Sequence, residues 1–489
     1  MPGTPPLLFA NEVDRRVLAR SAQRGRLVRL AAGIYSSELH LEPEQVVRRR
    51  LWEIVAHEMP GAVIADRSAR EGGTARDGRL YVIAGRNRPL RLPGTTVLAR
   101  QGLGPQPGDM VLPDGLHLTG EARTLLDNLA PTRPTSDGTS RTLTRVEVEQ
   151  WLDSLAAARG QDGLHRLRDQ ARELAPALGR DREFALLDRL MSAALSTRPA
   201  GGIVSPALRA RAAGRPYDPA RLASFSRLAR VIEDQAPDIL PALPSDESRR
   251  QLLPFYEAYF SNFIEGTEFT LDEAAAIVFD RAVPDQRPQD AHDVLGTYRL
   301  TSSLELHRTP ADGDELVELL RSRHAVLLGG RPELTPGQFK KRANRSGSTE
   351  FVAPPEVEGT LREGFARGSG LTSAFARAVF LMFLVSEVHP FADGNGRIAR
   401  VMMNAELVRA GEVRIVVPTV YRLNYLSALK AATQTGNDAA LIATLSFARR
   451  WTGRVDWSSR RSADRDLLRT HALRDAREAE DGGFRLVLP

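Results

Sequence analysis

A short loop of fixed chemistry between two helical runs limits what this chain can fold into more than any other feature. Leu371 to Val388 is an apolar, helix-compatible run. His389-Pro390-Phe391-Ala392-Asp393-Gly394-Asn395-Gly396-Arg397-Ile398-Ala399-Arg400 follows and opens a second helical pattern, which continues to about Ala410 before Gly411 stops it. Gly394 and Gly396 accept positive φ and carry no side chain, so the backbone can curl with its N–H groups turned inward. The curl feeds the N-terminus of the second helix, where amides and helix dipole favour a phosphate-like anion. Arg397 and Arg400 lie on neighbouring positions of one helix face, and guanidinium forks suit phosphate oxygens. Asp393 is a hard oxygen ligand beside that anion, as expected where one carboxylate and two phosphates share a magnesium ion. His389 alone in the loop has an unperturbed pKa near neutrality, which makes it the natural general base. A plain turn requires no acid, asparagine and paired arginines at fixed offsets.

This stretch resembles the signature HPFx[D/E]GNGRxxR of the Fic family, whose typical members are adenylyltransferases, with Asp393 as the acidic option. The resemblance implies Mg2+-ATP with its α- and β-phosphates over Gly394-Asn395-Gly396, Asp393 on the metal, and Arg397 and Arg400 on the terminal phosphates. His389 is then expected to take the proton of a Ser, Thr or Tyr hydroxyl on a target protein as that oxygen attacks the α-phosphorus.

Upstream, Ser261-Asn262-Phe263-Ile264-Glu265-Gly266 resembles the pattern [S/T]xxxE[G/N] of the Fic inhibitory helix. Ser261 and Glu265 are thereby expected to be regulatory, with Glu265 folded over the site and engaging Arg400 bidentately in place of ATP. Gly337 to Val352 lies where the Fic flap is expected, a hairpin that positions the target by strand addition. Phe339 and Gly347 fit its pattern, although its middle is unusually basic. Tyr425, in Arg422-Leu423-Asn424-Tyr425-Leu426, sits where family members line the adenine pocket with paired tyrosines.

Hydrophobic residues at 42% and charged residues at 26% describe a folded globular chain rather than a disordered one. The absence of cysteine excludes disulfides and cysteine-bound metal centres. The N-terminus lacks the apolar core of a signal peptide, and the densest apolar run, Ala378 to Val385, has eight residues. A cytoplasmic protein without membrane contact is expected.

The net charge is +6, and residues 1–100 hold 17 arginines against 10 acidic residues, a surplus of seven. The basic character therefore belongs to the front of the chain. Residues 7–35 read as a small helix-turn-helix with a wing, Asn11 capping its first helix. The segment Arg24 to Tyr35 resembles the winged helix of abortive-infection-type antitoxins, a resemblance that implies promoter DNA as a partner. A solvated arginine face on a protein-recognition module is the alternative.

The expected fold is mainly α, an all-helical Fic core with a β-hairpin flap, preceded by a smaller α/β winged-helix-like module. The expected divisions are 1–125 for that module, 126–200 for a linker and helical spacer, 201–450 for the catalytic domain, and 451–489 for a charged tail. The leading functional expectation is a protein adenylyltransferase held off by Glu265, in a chain that could self-associate. Its alternatives are transfer of another nucleotide or phosphocholine, removal of AMP by the same site, and a DNA-binding autoregulator with a nucleotide-sensing Fic domain.

Overall fold

The computed structural model describes residues 5–85, 88–134, 138–195 and 201–489. The chain divides into two units, Met1–Gly214 and Arg215–Pro489.

In the first unit, Leu7–Phe9, Ile34–Ser36 and Val28–Ala31 form an antiparallel three-stranded sheet with Ile34–Ser36 in the centre. Between the first two strands in sequence lies one helix, Arg15–Gln23, capped by Asp14, whose carboxylate accepts the N–H of Arg16. The expected helix-turn-helix does not form in residues 7–35, and Asn11 is not the cap. Leu7–Phe9 instead buries Leu7 and Phe9 as a strand, while Gly25 at φ 67° ends the helix and releases the chain into the hairpin. The next helix, Pro43–Glu58, starts at a capping box made by Glu42 and Gln45, with Pro43 in its first turn.

A mixed six-stranded sheet follows, in the order Leu90–Leu92, Thr95–Arg100, Arg79–Ile83, Val63–Ile64, His117–Leu118, Met110–Val111. Its core joins Leu80, Val82 and Val97 to Ile54 and Val55 of the Pro43–Glu58 helix. Helices Glu121–Leu129, Arg145–Leu178, Asp181–Ala194 and Pro206–Ala212 share a second core around Leu125, Leu126, Leu152, Leu187 and Leu208. The helical region expected to be a spacer is therefore part of the first unit, which runs to Gly214 rather than to about 200. Of the break read at Pro199 to Gly202, Pro199 and Ala200 lie outside the described residues.

The second unit is helical apart from a hairpin that pairs Arg345 with Glu350 and Ser346 with Thr349. Its central helix, Ala374–Val388, is buried along its whole length except at Arg377. Apolar residues all round a helix demand this placement, and each of Phe383, Leu384 and Val385 contributes about 1.5–3 kcal/mol by leaving water. The charge-rich chain beyond residue 450 is largely helical and packs into a core. Trp457, Leu467, Ala472 and Leu486 join the core that holds Phe255, Tyr256 and Phe260 of the Glu247–Ile264 helix. Tyr256 Oη also donates to Asp464 Oδ1 at 2.5 Å. Among the described residues no helix is long and apolar enough to cross a membrane.

Candidate active site

His389 caps the Ala374–Val388 helix in the left-handed region, φ 51° and ψ 59°, with its N–H donated to Val385 O at 2.9 Å. A non-glycine residue there is strained, and surrounding contacts hold it. Its imidazole stacks on Phe351, centroids 3.8 Å apart and planes within 8°. Nδ1 faces Ser386 O at 3.3 Å and so carries the ring proton, leaving Nε2 as the acceptor. Burial pushes the imidazole pKa down to about 4, with the Lys340 ammonium adding to the shift and Ser386 O, Glu265 and Asp393 opposing it. The ring is a neutral base at pH 7.

The loop beyond it is fastened from within. Phe391 N–H donates to Asn395 Oδ1 at 2.8 Å, and Asn395 Nδ2 donates back to Phe391 O at 2.9 Å. The Asn395 side chain is engaged in closing the loop. Gly394, at φ 75°, is the N-cap of the Asn395–Arg409 helix. The first amides of that helix lack intrahelical acceptors, the arrangement that suits an anion.

The Glu265 carboxylate lies at this helix start. A Cβ on Gly396 would stand 2.2 Å from Glu265 Oε1, so the glycine is what admits the carboxylate so close. Arg400 Nη2 donates to Glu265 Oε1 at 2.7 Å and to Ser261 O at 2.8 Å, while its Nε donates to Ser261 Oγ at 3.0 Å. The contact with Glu265 uses one carboxylate oxygen and is not the bidentate grip expected from sequence. Ser261 holds the remaining edge of the guanidinium.

Arg397 is placed differently from the expectation that it meets terminal phosphates. Only 3% of its side chain is exposed. Its Nη1 donates to Asp293 Oδ2 at 2.8 Å and to Asn262 Oδ1 at 3.2 Å. Asp293 also receives Arg331 Nε at 3.0 Å. The arginine braces the loop from behind.

Asp393 is over half exposed, with Oδ1 accepting Gly394 N–H at 2.7 Å and Oδ2 3.6 Å from Arg397 Nη2. Among the described residues no three acidic or histidine side chains gather into a metal cage. A magnesium ion here would take Asp393 as its protein ligand and draw the others from phosphates and water, the usual coordination of that ion.

Tyr425 is only 1% exposed; its Oη donates to Met382 Sδ at 3.4 Å and its ring lies 5.9 Å from the Arg400 guanidinium. Its hydroxyl also interacts with the Arg400 guanidinium. In the flap, Gly347 takes φ 57° at the hairpin turn, as tight two-residue turns require. Phe339 packs its ring 5.2 Å from Phe391. Arg221 Nη2 donates to Glu350 O at 2.5 Å, tying the hairpin to the Pro219–Ile232 helix. Arg221 also pairs with buried Glu387.

Sequence reasoning did not single out Asp293, Asn262, His324 or Arg221. Asn262 adjoins Ser261 in the inhibitory pattern; the other three carry no local signal, because their partners lie far away in sequence.

A mainly helical unit thus places a neutral histidine before a helix N-terminus, with the Glu265 carboxylate beside that helix start. The sequence model of the Fic/DOC family matches residues 315–407, which span this loop and the flap. The chain is 25% identical over 242 residues to the protein adenylyltransferase Fic of Drosophila persimilis, covering 45% of this chain and 47% of that one. With that of Nematostella vectensis it shares 28% identity over 187 residues, 36% of this chain and 43% of the other. The chain thus spans less than half the length of these curated relatives. Among solved structures, Fic-1 (aa134–508) from C. elegans aligns over 63% of this chain and 96% of its own at 20% identity and TM-score 0.35. An IbpAFic2 variant in complex with adenylylated Cdc42 aligns over 63% and 97% at 14% identity and TM-score 0.30.

Proposed function

We propose that this chain transfers AMP from Mg2+-ATP to a hydroxyl of a protein target and is held off by Glu265. The observation that carries the reading is a histidine with a free ring nitrogen at one end of the loop and a helix N-terminus at the other. His389 keeps a free Nε2 lone pair because Nδ1 is turned to Ser386 O, and the helix start it overlooks already accepts a carboxylate. His389 Nε2 takes the proton of a Ser, Thr or Tyr hydroxyl while that oxygen bonds to the α-phosphorus. The bond from the α-phosphorus to the bridging oxygen breaks, pyrophosphate departs, and AMP stays on the target. The orphan amides after Gly394 stabilise the charge developing on the phosphate oxygens. Magnesium, when bound at Asp393, neutralises the phosphates. The curated relatives named protein adenylyltransferase support this reaction.

Glu265 lies against the helix start and holds Arg400, so its departure would free both for a phosphate. Intact mass of the Glu265→Gly protein after incubation with Mg2+-ATP, beside the same variant carrying His389→Ala, tests the proposal. A gain of one AMP unit only where His389 is present supports it. Gains from other donors, sorted by product mass, would identify a different transferred group, and release of AMP from a modified protein would identify the reverse reaction.

A second reading, compatible with the first, is DNA binding by the N-terminal unit. Arg15, Arg16, Arg20, Arg24, Arg26 and Arg29 are all exposed on the Arg15–Gln23 helix and the hairpin after it. Such a stripe suits a phosphate backbone, and binding of duplex DNA that falls steeply with salt is the expected mark.

A further inference from the structure

We propose that His324 is a positioning residue that fixes the direction of the Asp393–Gly394 peptide, and so decides whether the nucleotide loop offers its ligand a donor or an acceptor. The inference rests on the reading of this loop as a nucleotide site. His324, on the Gly313–Leu327 helix, is fully buried and touches nothing that reacts. Its ring bridges two backbones. Nε2 donates to Asp393 O at 3.0 Å, and Nδ1 accepts the N–H of Gly337 at 2.9 Å. The two partners leave one tautomer, with the proton on Nε2. The ring also lies flat on Phe391, centroids 3.7 Å apart and planes within 3°.

In a trans peptide the C=O and N–H point in opposite directions. Anchoring Asp393 O on the buried ring therefore turns Gly394 N–H the other way, where the exposed Asp393 Oδ1 now accepts it at 2.7 Å. Gly394 is a left-handed glycine, and the peptide before such a residue rotates at little cost because no Cβ opposes it. Without the anchor, a flip would present a carbonyl oxygen to the phosphates. The second bond extends the device to the flap. Gly337 opens the flap segment, which is tied to the loop again by Lys340 N–H to Pro390 O at 2.8 Å and Asn344 Nδ2 to Phe391 O at 3.0 Å. Flap base and nucleotide loop are thus joined through one imidazole.

The two halves of the bridge are separable. His324→Gln puts an amide nitrogen near the Nε2 position and keeps the donor to Asp393 O. His324→Asn puts an amide oxygen near the Nδ1 position and keeps the acceptor for Gly337. Both lose the ring and its stacking. In the Glu265→Gly protein, Mg2+-ATP dissociation constants are measured by calorimetry for the parent and both variants. The Asn variant is expected to bind about tenfold more weakly than the parent, the weight of one buried hydrogen bond, and the Gln variant within about threefold of it. Equal weakening in the two, or the reverse order, overturns the proposal, since a packing defect alone affects both alike. A parent that binds Mg2+-ATP but transfers nothing removes the transferase reading while the order of the variants still decides the role of His324. A parent that binds no nucleotide overturns both.

Discussion

Arg397 and Arg400 leave the same helix one turn apart, yet they occupy opposite situations. Arg397 is locked: its partner Asp293 is itself buried and shared with Arg331, and Asn262 and Asp393 complete its surroundings. Arg400 is equally buried, but the carboxylate it meets is one-third exposed and sits at the end of a helix. A buried pair with no route to water cannot separate without stranding a charge, whereas a pair with one solvated partner can. One side of the helix is therefore built as scaffold and the other as a releasable contact, and the signature motif alone does not distinguish them.

That contrast is open to tests of decreasing size. The largest effect belongs to the base that both arginines serve. In the Glu265→Gly protein, His389→Ala is expected to lower the rate of AMP transfer by about 10²–10⁴-fold, read as intact mass against time. Next, removing each arginine's partner separates scaffold from contact. Asp293→Ala strands Arg397 and is expected to cost about 3–5 kcal/mol of stability, measured by denaturant unfolding. Glu265→Gly removes a partly solvated partner while Ser261 still holds Arg400, so it is expected to cost less stability than Asp293→Ala while raising transfer about tenfold. Similar losses of stability in the two variants would break the distinction.

The pH dependence follows from His389, whose folded pKa of about 4 lies below its ordinary value because burial disfavours the cation. The group contributes stability fully above the unfolded pKa of about 6.5. That contribution is lost as pH falls from there towards the folded pKa. The acid limb of the transfer rate is accordingly expected near pH 4 rather than near 6.5, with Lys340, Glu265 and Asp393 as the charged groups that set it. The smallest effect is expected at Tyr425→Phe, which deletes the bond to Met382 Sδ and the hydroxyl's interaction with Arg400 while Ser261 still holds that guanidinium. It should leave the KM for ATP within about twofold and cost about 1 kcal/mol or less, and a large rise in KM would return the hydroxyl to the base pocket.

Much of the site could be read without coordinates. The glycines at 394 and 396, the histidine before the proline and the basic turn after them have meaning as a contiguous string, because a helix start is a local structure. Glu265 and Arg400, 135 positions apart, stand in contact, and only a family resemblance had linked them. Asn395, Arg397 and Tyr425 show what a local string leaves out. Each has a polar group suited to a ligand, and in each that group is spent on a neighbour in the fold. The N-terminal segment misled for a related reason: Leu7–Phe9 suits the first part of a helix-turn-helix or an edge strand, and its pairing with Ile34–Ser36 decides for the strand.

The sequence by itself determined the two helices, the loop between them, and the helical character of the second unit, since all of these follow from periodicity and backbone chemistry over a few residues. Only the tertiary structure decided which arginine is free to change partners, that residues beyond 450 complete a core, and that His324 carries the loop. Those outcomes depend on which buried polar groups find one another across long separations, and a buried donor or acceptor must be satisfied wherever in the chain its partner lies.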